Sequence, residues 1–223
     1  MLAFLIITAL CVQLSCIAIE KSDFYAETVS SISEKRTIVI DAGHGGEDCG
    51  AIGINGVYEK DLNLTISTIV GEMLTEQGYA VVYTRTEDRL LYTEEENVKG
   101  IRKISDLKNR CKIAAEYDES LLVSIHMNSY GSAKYSGLHV YYSPNDPESE
   151  RLAQTIQPNN NRVPKPGKNM YILENVDNTA VLVECGFLTN TEECEKLSEK
   201  EYQKELSFSI VCGIIEYMNT VNS

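Results

Sequence analysis

The sequence predicts an α/β fold: a single domain with a mostly parallel central sheet of about six strands and helices on both faces. Three observations carry this. Segments of strand and helix character alternate along the chain. Three of the strand segments, residues 37–40, 121–125 and 180–183, are almost wholly apolar, as strands buried on both faces are. Each is followed by a side chain able to do chemistry, His44, His126 and Glu184. In open α/β sheets, sites form beyond the carboxyl ends of the strands.

The elements follow in order. The β-branched run 37–40 leads into Asp41-Ala42-Gly43-His44-Gly45-Gly46. A helix starts near Glu59, with Leu62, Ile66, Ile69, Val70, Met73 and Leu74 at helical spacing, and Gly78 stops it. A second strand covers 79–84. Thr93 and Glu96 make a capping box for a helix whose stripe is Ile101, Ile104, Leu107, Cys111 and Ala114. The strand at 121–125 ends at His126, and a fourth strand covers 138–142. Asp146-Pro147 opens a short helix through Leu152 and Ile156. Residues 171–173 and 180–183 complete the six strands. Ser198 with Glu201 caps a last helix, whose face is Leu206, Ile210, Val211, Ile214, Ile215 and Met218.

A chain of 223 residues suffices for one domain with a full core. Its net charge of −13 excludes nucleic acid as a partner, because phosphate binding needs clustered cations. Residues 2–19 carry no charge, so residues 1–19 are read as a signal peptide or an N-terminal membrane anchor. Either reading exports the rest, to the outer face of the cytoplasmic membrane or beyond. Residues 20–35 form a polar linker and 36–220 the domain itself. None of the seven cysteines lies in a CxxC spacing, so a thiolate metal site is unsupported and small buried hydrophobes are expected.

Of the three histidines, two follow apolar strands. The glycines around His44 allow a sharp turn that leaves the imidazole exposed. Glu59, at a helix start, supplies the carboxylate that with His44 and His126 makes a His₂Glu set, a zinc arrangement with an open position. Glu184 ends a buried strand, where an ionisable group must be paired, protonated or functional; it is read as general base and proton donor. Asp41 is the carboxylate expected to hold His44 in one tautomer. Asn128 and Arg110 are candidates for substrate contact or for supporting the ligands. His139, inside a strand, is read as structural or surface.

Five segments then resemble, in order, the marks of the amidase type 3 family: 38–46, 58–63 (Tyr58-Glu59-Lys60-Asp61-Leu62-Asn63), 84–88, 124–129 (Ser124-Ile125-His126-Met127-Asn128-Ser129) and 181–190. They span about 36–220. The resemblance implies a zinc-hydrolase fold, with one Zn²⁺ held by His44, Glu59 and His126 and with Glu184 as the catalytic carboxylate. The reaction it implies is hydrolysis of the amide between the muramic lactyl group and L-alanine of peptidoglycan. Residues 100–110 resemble the germination-specific, spore-cortex subgroup, where removal of stem peptides prepares muramic-δ-lactam. Thr179 stands where the family usually has proline, and 157–168 is shorter and more irregular than the usual helix. With no long insertion between His126 and Glu184 to block the site, control is expected from the membrane segment or from a separate activator protein. The alternatives are a zinc carboxypeptidase acting on wall peptides, which would need an arginine clamp, and a non-catalytic wall-binding module.

Overall fold

The computed structural model of the chain describes residues 36–157 and 162–221. The membrane or signal segment and linker expected over 1–35 lie outside them. No helix among the described residues is long and apolar enough to cross a membrane. The elements are β1 (Ile38–Ala42), α1 (Glu59–Glu76), β2 (Val81–Tyr83), α2 (Arg102–Ala115), β3 (Leu121–Asn128), β4 (His139–Tyr142), α3 (Glu148–Ile156), β5 (Lys165–Pro166), α4 (Tyr171–Glu174), β6 (Thr179–Phe187), α5 (Thr191–Leu197) and α6 (Lys200–Val221).

The strands make one sheet in the order β2-β1-β3-β6-β4-β5. All neighbours run parallel except β4 and β6. The three apolar strands β1, β3 and β6 lie side by side inside it, as their composition requires. Side chains alternate between faces. Ile38, Ile40, Leu121, Val123, Ile125, Val181 and Val183 point into a large core closed by α1, α3, α5 and α6. The opposite face buries Val39, Leu122, Ala180 and Leu182 under the smaller cover of α2 and α4. By the same alternation this thinner face carries Asp41, Ser124, His126, Glu184 and His139 toward the carboxyl ends of the parallel strands.

Five expectations change. Residues 171–173 are helix α4, not a strand; a three-residue apolar run carries no decisive period, and Ile172 and Leu173 are buried on the thin face from a helical turn. The sixth strand is β5, whose Lys165 and Pro166 pair with Tyr141 and Tyr142 at the sheet edge, where proline is tolerated. Thr93 and Glu96 do exchange reciprocal bonds, but these close an isolated turn well before α2. Ser198 donates to the Cys194 carbonyl and so closes α5, a helix the sequence reading missed. The strands also run further than expected: β3 continues to Asn128 and β6 to Phe187, with a register shift between His126 and Asn128. His126 and Glu184 therefore sit within the sheet as neighbours rather than beyond its ends.

Candidate metal centre

The loop after β1 reverses sharply. His44 has φ 60°, followed by Gly45 at 142° and Gly46 at 54°. A left-handed histidine costs on the order of 1–3 kcal/mol and needs surrounding restraint. Two buried arginines supply it. Arg85 Nε donates to the Ala42 carbonyl at 2.8 Å and its Nη2 to Gly43 at 3.0 Å. Arg110 donates to the Ala42 carbonyl at 2.6 Å and to that of His44 at 2.7 Å. Asn63 of α1 adds a third restraint, donating to the Gly43 carbonyl at 3.1 Å.

This loop, the first turn of α1 and strand β3 bring together the three residues singled out for a metal. One ligand atom from each of His44, Glu59 and His126 lies within 4.8 Å of the others. His44 Nε2 is 3.2 Å, and His126 Nδ1 3.0 Å, from Glu59 Oε1. The carboxylate is fixed by backbone donors, Met127 N at 3.1 Å to Oε1 and Ala51 N at 2.8 Å to Oε2. Two glycines make room: a Cβ on Gly43 would stand 2.2 Å from the His126 ring, and one on Gly50 2.5 Å from Glu59 Oε2. Burial opposes ionisation of Glu59, but the two imidazoles outweigh it and hold its carboxyl far below the usual range. Burial likewise opposes the charged form of His44, yet Asp48 and Glu59 raise it to about 9.

Asp41 does not touch the His44 ring. Its carboxylate accepts from Thr84 at 2.7 Å, from Ser124 at 2.5 Å and from Arg110 at 2.6 Å. Burial alone would raise its pKa, but these three bring it down to about 2. The carboxylate on His44 Nδ1 is Asp48, at 3.0 Å, itself held by Lys103 at 3.0 Å. Asp48 and Arg85 went unassigned in the sequence; the signal was local, an acid four residues after His44 and an arginine closing β2. Arg110 is buried among Asp41, Asp106 and loop carbonyls, so it supports the loop and does not face a substrate.

Glu184 is the neighbour of His126 across β3 and β6. Its Oε2 is buried without a hydrogen-bond partner among the described residues. Burial, with Glu59 adding to it and the two histidines opposing, raises its pKa to about 7. Past it opens a cavity of about 450 Å³ with Asn128 on its wall and Tyr130, Tyr135, Tyr141 and Phe187 as its aromatic lining.

Comparison with known proteins fits this arrangement. The germination-specific N-acetylmuramoyl-L-alanine amidase of Bacillus subtilis is 35% identical over 189 residues, covering 82% of this chain and 79% of that protein. The CwlD amidase of Clostridioides difficile, solved in complex with the GerS lipoprotein, is 36% identical with a TM-score of 0.79, over 83% of this chain and 100% of that one. The catalytic domain of CwlV, an N-acetylmuramoyl-L-alanine amidase from Bacillus (Paenibacillus) polymyxa, is 32% identical with a TM-score of 0.71, over 82% and 98%. The family profile itself matches residues 38–216, from the first residue of β1 into α6. With the sheet, the histidine loop and the neighbouring glutamate all inside that match, the chain belongs to the N-acetylmuramoyl-L-alanine amidase family.

Proposed function

We propose that this chain is an exported zinc amidase that strips stem peptides from peptidoglycan, with His44, Glu59 and His126 as ligands and Glu184 as the catalytic carboxylate. The observation that carries the reading is the unpartnered, buried Glu184 oxygen on the strand next to His126, one member of a closed His-Glu-His trio. Two imidazoles and one carboxylate suit zinc and leave a position open. The glycine cradles at Gly43 and Gly50 show room kept for those side chains. When bound, zinc supplies a Lewis acid for the amide carbonyl and lowers the pKa of a water.

The residues of the chain do the rest. Glu184, with a pKa raised to about 7, takes a proton from the attacking water near neutral pH. It then returns that proton to the departing amine. The carbon–nitrogen bond breaks, leaving a lactyl carboxylate and an L-alanine amino terminus. Arg85, Arg110 and Asn63 hold the His44 loop still while this happens. Residues 1–19 deliver the domain across the membrane. The spore cortex is the proposed setting, supported by the germination-specific relative. A lipoprotein activator is the proposed partner, supported by the complex of the C. difficile relative.

The test is digestion of purified peptidoglycan by the zinc-supplied full chain, with products read by mass spectrometry. Free stem peptides beginning in L-alanine, absent with Glu184→Gln, are expected. Peptides shortened from their carboxyl ends would instead identify a carboxypeptidase.

A further inference from the structure

The functional face of the sheet continues one strand past Glu184. On β4, His139 is the register partner of Glu184, and directly opposed residues share a face. His139 is 6% exposed and lines the cavity, yet its Nε2 has no hydrogen-bond partner among the described residues. The ring bonds the Val163 backbone, which orients it. Burial lowers its pKa, and the charges of Lys165 and Arg162 lower it further, so the ring is held neutral. A neutral imidazole whose N–H is committed to a carbonyl presents its other nitrogen as an acceptor.

The same cavity wall brings up two cations. Arg162 donates to the Gly137 carbonyl at 3.2 Å and lies 5.0 Å from the centre of the Phe187 ring, which together fix its plane. Lys165 reaches the cavity from the edge strand β5. A buried acceptor flanked by two cations complements one chemical group in particular: an N–H and a carboxylate on the same carbon. That is an N-acylated amino acid with its α-carboxylate uncapped.

Resting on the amidase reading, we propose that His139, Arg162 and Lys165 form the subsite for the second residue of the stem peptide. The N–H of that residue donates to His139 Nε2, and its α-carboxylate pairs with Arg162 and Lys165. His126 on β3 and His139 on β4 are separated by two strand spacings, about 10 Å. An extended peptide advances about 3.5 Å per residue, so with the alanine amide at the trio the second residue's N–H and carboxylate lie about 4–7 Å further on, past Glu184 on the way to His139. The subsite makes the enzyme selective for stem peptides whose second residue keeps its carboxylate over those where it is amidated.

The experiment is titration calorimetry of the full chain with L-alanyl-γ-D-glutamic acid and with its α-carboxamide, which requires no cleavage. The acid is expected to bind at least tenfold more tightly than the amide. In Arg162→Gln/Lys165→Gln that ratio should fall below twofold, and in the charge-keeping Arg162→Lys/Lys165→Arg it should persist. His139→Phe should weaken acid and amide alike, since both carry the N–H. Equal binding of acid and amide by the unaltered chain, or a ratio that survives the double glutamine change, would overturn the subsite. Failure of the amidase reading would show separately, as wall digestion without release of stem peptides.

Discussion

The carboxylates around His44 differ in what surrounds them, and their behaviour should differ accordingly. Asp41 has no exposed atom of consequence and is ionised only because Arg110, Ser124 and Thr84 answer it. Its folded pKa of about 2 lies below the ordinary 3.8. The resulting stability is complete above pH 4 and is lost as pH falls from about 4 through 2. Asp41→Asn should therefore flatten the acid limb of a stability–pH curve by about 2 kcal/mol, read from urea unfolding. Glu184→Gln keeps the size of the side chain and removes its basicity. Cleavage should drop by about 10²–10⁴ while bound zinc, weighed by atomic emission, stays near one per chain. Gly43→Ala puts a methyl against the His126 ring, so zinc affinity should fall at least tenfold in a chelator competition while circular dichroism stays native.

Among the elements, the arginine pair ties α2 and β2 to the histidine loop. Arg110→Met would leave the buried carboxylates of Asp41 and Asp106 unanswered and should cost about 3–5 kcal/mol in denaturant unfolding. Its loss of activity should follow from a disordered loop, not from lost substrate contact. These links also mark where reading from sequence succeeds. Long periodic segments such as α1 and α6, and apolar runs such as β1, β3 and β6, announce themselves because burial sets both period and composition. His44, Glu59 and His126 could be singled out because each adjoins an apolar or periodic run in the sequence, and the structure brings their ligand atoms together. Residues 171–173 could not be placed, since three apolar residues suit a strand or a helical turn equally. The partner of His44 was misread as Asp41 because adjacency along the chain was taken for adjacency in space. In fact Asp41 points into the thin face while the loop swings Asp48 around to the imidazole. The cavity wall was least visible of all, because His139, Arg162 and Phe187 come from separate segments with no shared spacing.

Taken together, the proposed ligand trio draws on the β1 loop, α1 and β3, so metal binding should stabilise the assembled domain and not one piece of it. At a hundredfold excess over Kd, zinc should contribute about 3 kcal/mol. For a domain of this size that corresponds to a rise of roughly 5–10 °C in melting temperature, reversed by chelator.

The strand order has a bearing on when the enzyme becomes competent. Strand β6 lies between β3 and β4, although β4 precedes it in the chain. It must slot between two partners that were synthesised earlier, and it brings Glu184 with it. A chain emerging amino terminus first thus exposes all three proposed ligands well before it possesses Glu184, its proposed base. Such a nascent chain can capture metal and still cut nothing, so the hydrolase is armed only as its last segments arrive.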